Sequence, residues 1–367
     1  MIRSIEIENL RGISRGAVDG LTQVNIFLGK NGSGKSTVLE AIYIASACTE
    51  AKDSLHGVDK LDYVISRRGG SGSWSDSRDV LWFSMDTSRP ITVRLNVDEV
   101  QLRFKLFESR KDVLLEIETR RIVQVSRDQS LAMRFRSDEV LVSLTKHMVC
   151  SHDASSCISL SFDIKGLDEV RKAMELRKTL LLDSAILMRV RDIERSCWSK
   201  LLVKRLDKRI VEALRKEFEI DAEGLTYMPL GNQYVLMLQL SRTSVRIDDL
   251  GDGAKKLIIA GLAILAHTPS ILLLEEPENH MHPAGLETYM RFVLGLAKEM
   301  GAQVFISSHS IELVKIARKV CSDLGLDMAV YFLERSKSGE LDARRLSAID
   351  SEVLEKLGLD PRFLYVL

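Results

Sequence analysis

The sequence predicts an α/β fold with an antiparallel β subdomain and a helical insertion, and three observations support this prediction. A strand-like run at 21–28 leads into a glycine-rich turn and then into a segment at 35–48 with apolar residues at helical spacing. From residue 251 onward, helix-like and strand-like segments alternate, which is typical of a parallel sheet covered by helices. Short strand-like runs between 91 and 165 indicate antiparallel meanders.

These patterns divide the chain into three predicted parts. Residues 1–165 form a lobe with the glycine-rich turn and the antiparallel subdomain, residues 166–225 form the helical insertion, and residues 226–367 form a second lobe. The insertion is predicted because 167–219 contains neither proline nor glycine and is rich in Leu, Arg, Lys and Glu.

Composition places the chain among ordinary globular proteins. Hydrophobic residues make up 45%, and Lys plus Arg equal Asp plus Glu at 52 each, so net charge favours no class of partner. No run of 18 apolar residues occurs, and residues 1–13 lack the apolar core of a signal peptide. We therefore expect no membrane span and a cytoplasmic location. Five scattered cysteines without a C-x-x-C pair argue against a disulfide framework.

Residues 29–37 read GKNGSGKST, which fits the phosphate-loop pattern G-x-x-x-x-G-K-[ST]. Glycines allow backbone N–H groups to curl around phosphates, and the following helix directs its positive end at the same anion. A chance glycine-rich turn would lack the flanking strand and helix. The predicted nucleotide contacts are Asn31, Gly32, Ser33, Gly34, Lys35, Ser36 and Thr37, with Lys35 on the β- and γ-phosphates and Ser36 on Mg²⁺.

Two further predicted strands end in candidate catalytic or metal-binding residues. The run ILLLEE at 271–276 predicts a buried strand that delivers Glu275 to the Mg²⁺ shell and Glu276 to the attacking water. The alternative is an acidic turn before Pro277. The run QVFISSH at 303–309 ends in His309, which would contact the γ-phosphate or orient the water, although a histidine at a strand end is more often structural.

A second candidate anion site lies far from the phosphate loop along the chain. Gly251, Asp252 and Gly253 open an apolar helix. Because one nucleotide is already held by 29–37, this turn would serve the ATP of a second subunit. The alternative is an ordinary glycine-rich helix start.

In this order, the motifs resemble those of ABC-type ATPase heads, and most of all the OLD, RecF and SMC branch. The resemblance is carried by IEIENLRGI with Asn9-Leu10-Arg11, by GKNGSGKST, by LGDGAKK, by EEPENHMHP at 275–283 and by SSHS at 307–310. It implies a head-to-tail homodimer with ATP in each interface, Mg²⁺ held by Ser36 and Glu275, Glu276 as general base, His309 as γ-phosphate sensor and Arg11 near the phosphates.

The chain departs from that pattern in several places. Glu275 stands where most ABC proteins have Asp, and Gly251 replaces the signature serine. No Q-loop glutamine and no aromatic residue for adenine can be assigned. The insertion is too short for SMC-type coiled-coil arms, and the chain after His309 leaves no room for a Toprim nuclease domain, so any nuclease or effector is expected to be a separate protein.

Two basic features have open interpretations. Between Arg171 and Lys216 there are 14 Lys or Arg and 6 Asp or Glu, which is either a DNA-binding surface or a solvated helical face. Arg67 and Arg68 precede a Gly/Ser-rich segment and either contact nucleotide or DNA or are solvated.

The leading hypothesis is a Mg-dependent ATP hydrolase that forms an ATP-sandwiched homodimer and drives a DNA-linked process, either repair or phage defence. The alternative is an ATP-binding dimerisation switch with little turnover that regulates a separate effector. A small-molecule kinase or a transporter ATPase subunit also carries a phosphate loop, but the other motifs disfavour both.

Overall fold

The computed structural model describes residues 1–68, 72–118, 130–136, 139–145, 168–183, 186–187, 190–218, 220–231, 233–279 and 281–347. One large mixed sheet runs through them in the order β8-β7-β6-β5-β4-β1-β2-β16-β15-β3-β14-β13-β9. Its strands are β1 (Ile2–Leu10), β2 (Ile13–Asp19), β3 (Val24–Leu28), β4 (Ile91–Val97), β5 (Val100–Leu106), β6 (Val113–Glu118), β7 (Ser130–Arg136), β8 (Glu139–Thr145), β9 (Thr179–Leu182), β13 (Ile271–Glu275), β14 (Gln303–Ser308), β15 (Met328–Arg335) and β16 (Glu340–Leu346).

A smaller antiparallel sheet and a set of helices complete the described fold. The sheet contains β10 (Ala222–Leu230), β11 (Gln233–Leu240) and β12 (Ser244–Arg246). The helices are α1 (Lys35–Ser46), α2 (Lys60–Ser66), α3 (Trp74–Ser77), α4 (Asp168–Glu175), α5 (Val190–Lys204), α6 (Asp207–Phe218), α7 (Asp252–His267), α8 (Pro283–Met300) and α9 (Ile311–Leu324).

The parallel strands β3, β13 and β14 form the centre of the large sheet. Every residue of β3 and β14 is buried, as expected for strands covered by helices on both faces. Along β14, Ser307 pairs with Glu275 of β13, and Ser308 pairs with Leu28 of β3. The carboxyl ends of all three strands therefore meet at one edge of the sheet, where the candidate site lies.

The antiparallel half of the sheet matches the predicted meander. Strands β4 to β8 pair in sequence, and β1 pairs with both β2 and β4. Alternate residues of β4 are buried from Val93 onward, because one face covers the core and the other does not. The predicted strand at 157–164 lies outside the described residues.

Two hydrophobic cores cover opposite faces of the sheet. Helix α1 packs on one face with side chains of β1 and β4. Helices α5, α6, α7, α8 and α9 cover the other face. Helices on both faces of a largely parallel centre satisfy the layer rule for α/β proteins, so the predicted fold class is confirmed.

The predicted helical insertion contains α4, α5 and α6, and it also contains a strand that the sequence analysis did not predict. Thr179–Leu182 forms β9, a fully buried strand that pairs in parallel with Ile271–Leu274 of β13. Three leucines in a row do not distinguish a buried strand from a buried helix turn, so the pattern was ambiguous. The insertion thus contributes a core strand beside the strand that carries the acidic pair, while the predicted domain boundaries stay an interpretation.

Among the described residues, no helix is both long and apolar enough to cross a membrane.

Candidate nucleotide-binding site

Residues 29–37 form a tight loop between β3 and α1. Gly34 has φ of 102° and caps the start of α1 with no side-chain hydrogen bond to the helix. Gly29 has φ of 148°, and a Cβ built on it would lie 2.4 Å from the carbonyl oxygen of Leu333. Only glycine fits both positions. The uncapped N–H groups at the start of α1 therefore remain available to an anion.

Lys35 folds back over this loop. Its Nζ donates to the carbonyl oxygens of Gly29 and Lys30, each at 2.8 Å, and the residue is only 4% exposed. Burial lowers the pKa of Lys35 to about 8, although Glu276, Glu278 and Glu275 oppose that shift. The lysine thus lies among the carboxylates of the acidic strand end, as a phosphate-binding lysine requires.

The loop residues differ in exposure. Asn31 and Gly32 are exposed at its tip, whereas Ser33 and Thr37 are buried. The Ser33 Oγ is buried with no hydrogen-bond partner in the described part of the chain, which suits a group that acts on a ligand. Ser36 is half-buried at the second position of α1.

His309 joins Lys35 to Glu276. Its Nδ1 lies 3.3 Å from the Lys35 Nζ, and its Nε2 lies 2.7 Å from Oε1 of Glu276. An ammonium group only donates, so Nδ1 is the acceptor and Nε2–H donates to the carboxylate. The two sequence-predicted catalytic side chains and the phosphate-loop lysine are therefore in direct contact.

Glu276 has an unusual backbone for a glutamate. Its φ is 44°, and its N–H donates to the carbonyl oxygen of Ser307 at 2.9 Å. Asn279 donates from Nδ2 to the second carboxylate oxygen at 2.8 Å. The hydrogen bond from His309 is the main reason that the pKa of Glu276 falls to about 2, so the group is a carboxylate at neutral pH. A strained backbone held by such contacts is a feature of functional sites.

The sequence analysis missed Glu278. Its Oε1 accepts from Ser308 Oγ at 2.6 Å and from the His309 N–H at 3.0 Å. The carboxylate fixes the turn between β14 and α9 and thereby the position of the His309 ring. The third acid of the EEPE run was the available signal, since an acid three residues beyond a strand end can reach the neighbouring strand end.

Glu275 lies at the end of β13 with 13% of its side chain exposed, and it is hydrogen-bonded to Arg67. The described residues contain no group of three or more His, Cys, Asp or Glu side chains that could hold a metal ion. One hydroxyl from Ser36 and one carboxylate from Glu275 nevertheless fit Mg²⁺ in a phosphate-loop protein, because phosphate oxygens and water supply the remaining ligands. The donor set is oxygen only, as Mg²⁺ prefers.

Arg11 is held away from solvent by other groups. Its Nη2 donates to the carbonyl oxygen of Val64 at 2.5 Å and its Nη1 to that of Val80 at 3.3 Å. Its Nε lies 3.4 Å from Oε2 of Glu40, a fully buried residue of α1. These contacts tie the Arg11 side chain to α1 and to the segment after it. That Arg11 lies near the phosphates stays a prediction.

The signature-like turn lies at an exposed helix start. Gly251 caps α7 without a side-chain hydrogen bond, and apart from its chain neighbours no described residue has an atom within 4 Å of a Cβ built on it. Lys256, one turn into α7, is buried and donates to the carbonyl oxygens of Pro277 at 3.2 Å and Asn279 at 2.7 Å. The helix that carries Gly251, Asp252 and Gly253 is thereby attached to the segment that follows Glu276.

Two histidines follow in the same segment, at positions 280 and 282. His282 caps α8, where its Nδ1 accepts from the Ala284 N–H at 3.4 Å, so its side chain has a structural role. His280 lies outside the described residues.

Comparisons with known proteins agree with this geometry. The profile of the family described as "AAA domain, putative AbiEii toxin, Type IV TA system" matches residues 24–315. A Helicobacter pylori (strain ATCC 700392 / 26695) protein named ATP/GTP phosphatase is 21% identical over 340 residues, which cover 87% of this chain and 88% of the relative.

Solved structures share the fold at low sequence identity. An SmcHead bound to the C-winged helix domain of ScpA superposes with a TM-score of 0.54 and 9% identity, covering 96% of this chain and 99% of that chain. An Smc head domain with an extended coiled coil, bound to the C-terminal domain of ScpA derived from Pyrococcus furiosus, gives 0.50 and 12%, covering 98% and 99%. The fold is that of SMC-type ATPase heads, and the resemblance to the OLD branch stays a prediction.

The family profile spans the phosphate loop, the acidic strand end and the histidine strand end, the three pieces that the structure brings together at one sheet edge. The chain belongs to this AAA-domain family of P-loop ATPases.

Proposed function

We propose that the protein is a Mg²⁺-dependent ATP hydrolase in which Glu276 is the general base. The observation that carries this proposal is the chain of contacts from Lys35 through His309 to Glu276. In this chain of contacts an ammonium group, an imidazole N–H donor and a carboxylate lie side by side, close to the start of α1. Phosphoryl transfer to water needs these three kinds of group.

Each residue then has a defined task. The N–H groups of 31–37 hold the phosphates, and Lys35 neutralises charge on the β- and γ-phosphates. Ser36 and Glu275 would hold Mg²⁺, and the metal would supply positive charge for the phosphate oxygens. Glu276 accepts the proton of the attacking water, and His309 keeps that carboxylate oriented.

Two substitutions test this assignment. Replacing Lys35 by Ala should weaken ATP binding by at least about 30-fold, because a buried phosphate charge loses its partner. Replacing Glu276 by Gln should leave binding intact and slow turnover by roughly 100- to 10,000-fold, the usual contribution of a general base. The measurements are ATP binding by fluorescence titration and phosphate release. Normal turnover by the Glu276→Gln protein would exclude the general-base role.

Glu312 provides a matched control for the second substitution. It carries the same charge on the exposed first turn of α9, three residues beyond His309. Glu312→Gln should therefore turn over ATP like the wild type. A comparable loss in both proteins would point to a general effect on α9 and β14 rather than to catalysis.

The proposal extends to a homodimer in which Gly251, Asp252 and Gly253 reach the nucleotide of the other subunit. Support comes from the exposure of this helix start and from the link of α7 to the segment after Glu276 through Lys256. The work done by the cycle would act on DNA or on a separate nuclease or effector protein, in repair or phage defence.

Some of the Lys and Arg side chains in the insertion form ion pairs with acidic residues elsewhere in the chain. Lys172 pairs with Asp98 at 2.6 Å, and Arg209 pairs with Glu299 at 2.7 Å. Lys204, Arg205 and Lys208 stay exposed at the α5–α6 junction and are the candidate DNA contacts. Stimulation of ATP turnover by DNA, lost when these three residues are replaced by Ala, would support that role.

The alternative is an ATP-binding dimerisation switch with little turnover. Two observations favour it: Gly251 cannot supply the hydroxyl of the signature serine, and Glu275 is already engaged by Arg67. Phosphate release measured with and without DNA separates the two functions. A switch would bind ATP tightly and release phosphate no faster than its Glu276→Gln variant.

A further inference from the structure

A buried arginine is bound to the carboxylate that the proposed metal needs. Arg67, which follows the last residue of α2, is only 5% exposed. Its Nη2 donates to Oε2 of Glu275, its Nη1 donates to Oε1 of Glu40 at 2.6 Å, and its Nε donates to Oδ2 of Asp183 at 3.0 Å. One guanidinium therefore joins β13, α1 and the end of β9. Of the two interpretations left open for Arg67, solvation does not hold, because its side chain is buried.

The same cluster is balanced in charge. Three carboxylates face three guanidinium groups, because Glu40 also contacts Arg68 and Arg11. The acidic members are buried: Glu40 has no exposed side-chain surface, and Asp183 has 2%. Buried carboxylates of this kind persist only when they are paired and hydrogen-bonded.

The charge balance of this cluster weakens the attraction of Glu275 for a divalent cation. Glu275 on its own would attract a metal ion, but its charge is already neutralised by Arg67 in a poorly solvated place. A bound triphosphate adds several negative charges beside Lys35 and restores the attraction. A lysine at this position would be a poorer substitute, since a single ammonium cannot bridge three carboxylates with fixed geometry.

We propose that Arg67 is a positioning residue that holds Glu275 as its counter-ion and prevents divalent metal from binding before nucleotide. Metal then enters the site together with the nucleotide phosphates. This inference rests on the proposed Mg²⁺–ATP function and adds to it the order in which the two ligands bind.

The test measures Mn²⁺ binding in the absence of nucleotide. Electron paramagnetic resonance monitors the concentration of free Mn²⁺ during the titration. Wild-type protein should show no saturable binding, whereas Arg67→Gln, which removes the counter-ion of Glu275, should bind Mn²⁺ at least about tenfold more tightly. Arg68→Gln is the matched control, because Arg68 contacts Glu40 but is 41% exposed and has no hydrogen bond to Glu275 among the described contacts. It should behave like the wild type.

Several results would overturn the inference. Saturable Mn²⁺ binding by the wild type without nucleotide would do so directly, and this arm needs no variant. Equal Mn²⁺ affinities in wild type and folded Arg67→Gln would do so as well. If Arg67→Gln does not fold, Arg67→Gln combined with Glu40→Gln removes one charge of each sign. It still takes the counter-ion away from Glu275 and should therefore bind Mn²⁺ more tightly than the wild type.

A parallel titration of the wild type with Mg²⁺–ATP separates the two claims. If the wild type does not bind Mg²⁺–ATP, the proposed function fails. If it binds Mg²⁺–ATP and Mn²⁺ affinities without nucleotide are equal in the wild type and the variants, only the role of Arg67 fails.

Discussion

At the residue scale, the site depends on a small number of contacts that lower the proton affinity of two of its groups. Burial lowers the pKa of Lys35 to about 8, and the hydrogen bond from His309 lowers that of Glu276 to about 2. Near neutral pH both groups are charged, so Lys35 can bind phosphate and Glu276 can accept a hydrogen bond from water. In a profile of function against pH, Lys35 would therefore determine the alkaline end and Glu276 the acidic end.

The alkaline end is set by Lys35. A protonated Lys35 binds phosphate and a neutral one does not, and bound phosphate raises its pKa above that of the free protein. ATP affinity should therefore be constant below about pH 8 and then fall by up to about tenfold per pH unit, until the pKa of the bound state is passed. Fluorescence titrations between pH 7 and 10 measure this. An affinity that is flat up to pH 10 would contradict it.

Lys35→Arg supplies the control for this profile. Arginine stays protonated throughout that range, so whatever affinity the variant keeps should not change with pH. A fall of the same size in both proteins would place the titrating group elsewhere.

The side chains that the sequence predicted are those that belong to short motifs. Lys35, Glu276 and His309 each stand at a strand or loop end whose backbone direction the local pattern already determines. Glu278 and Arg67 could not be assigned, because their partners lie on other elements that only the folded chain brings close. The pairing of Arg67 with Asp183 spans 116 positions of the chain.

At the element scale, α7 is the helix that connects the two ends of the proposed mechanism. Its start is the signature-like turn, and its Lys256 is bonded to the segment after Glu276. Its middle crosses α6 and α8 closely: a Cβ built on Gly261 would lie 2.9 Å from Ile210 and 3.0 Å from Phe292. Gly261 thus sets how closely these helices approach.

Enlarging Gly261 should destabilise the protein. Gly261→Val forces α7 away from α6 and α8, and overpacking of this kind should lower the free energy of unfolding by about 1–3 kcal/mol. Gly295, in the middle of α8, has open space around a Cβ built there. Gly295→Ala should instead raise stability by about 0.5–1 kcal/mol. Urea denaturation of both variants measures this, and a Gly261→Val protein as stable as the wild type would contradict the proposed close crossing.

The sequence predicted helices and strands correctly where the apolar pattern extended over a long segment. It missed a strand where the pattern covered only a few residues. The apolar run of α7 and the buried strands β13 and β14 were recognised because their lengths and flanking residues agreed. Strand β9 was missed because its four residues follow α4 and a 3₁₀ turn with no glycine or proline between them. Only its parallel pairing with β13 identifies it.

At the scale of the whole molecule, the phosphate loop and the signature-like turn belong to one chain and serve different nucleotides in the proposed dimer. Gly251 and Asp252 are exposed to solvent at the start of α7, so a second subunit can approach them. A closed dimer would place them against the phosphates held by the partner's loop, with ATP as part of the interface. Association should then depend on nucleotide and end with hydrolysis.

Solution mass by light scattering, for wild type and Glu276→Gln with and without Mg²⁺–ATP, tests this account most directly. The account predicts a monomer of about 41 kDa that doubles in mass only with Mg²⁺–ATP, transiently in the wild type and persistently in the variant, because the variant binds ATP but does not hydrolyse it. A mass unchanged by ATP in both proteins would contradict the claim that nucleotide bound at 29–37 also binds the signature-like turn of a second subunit.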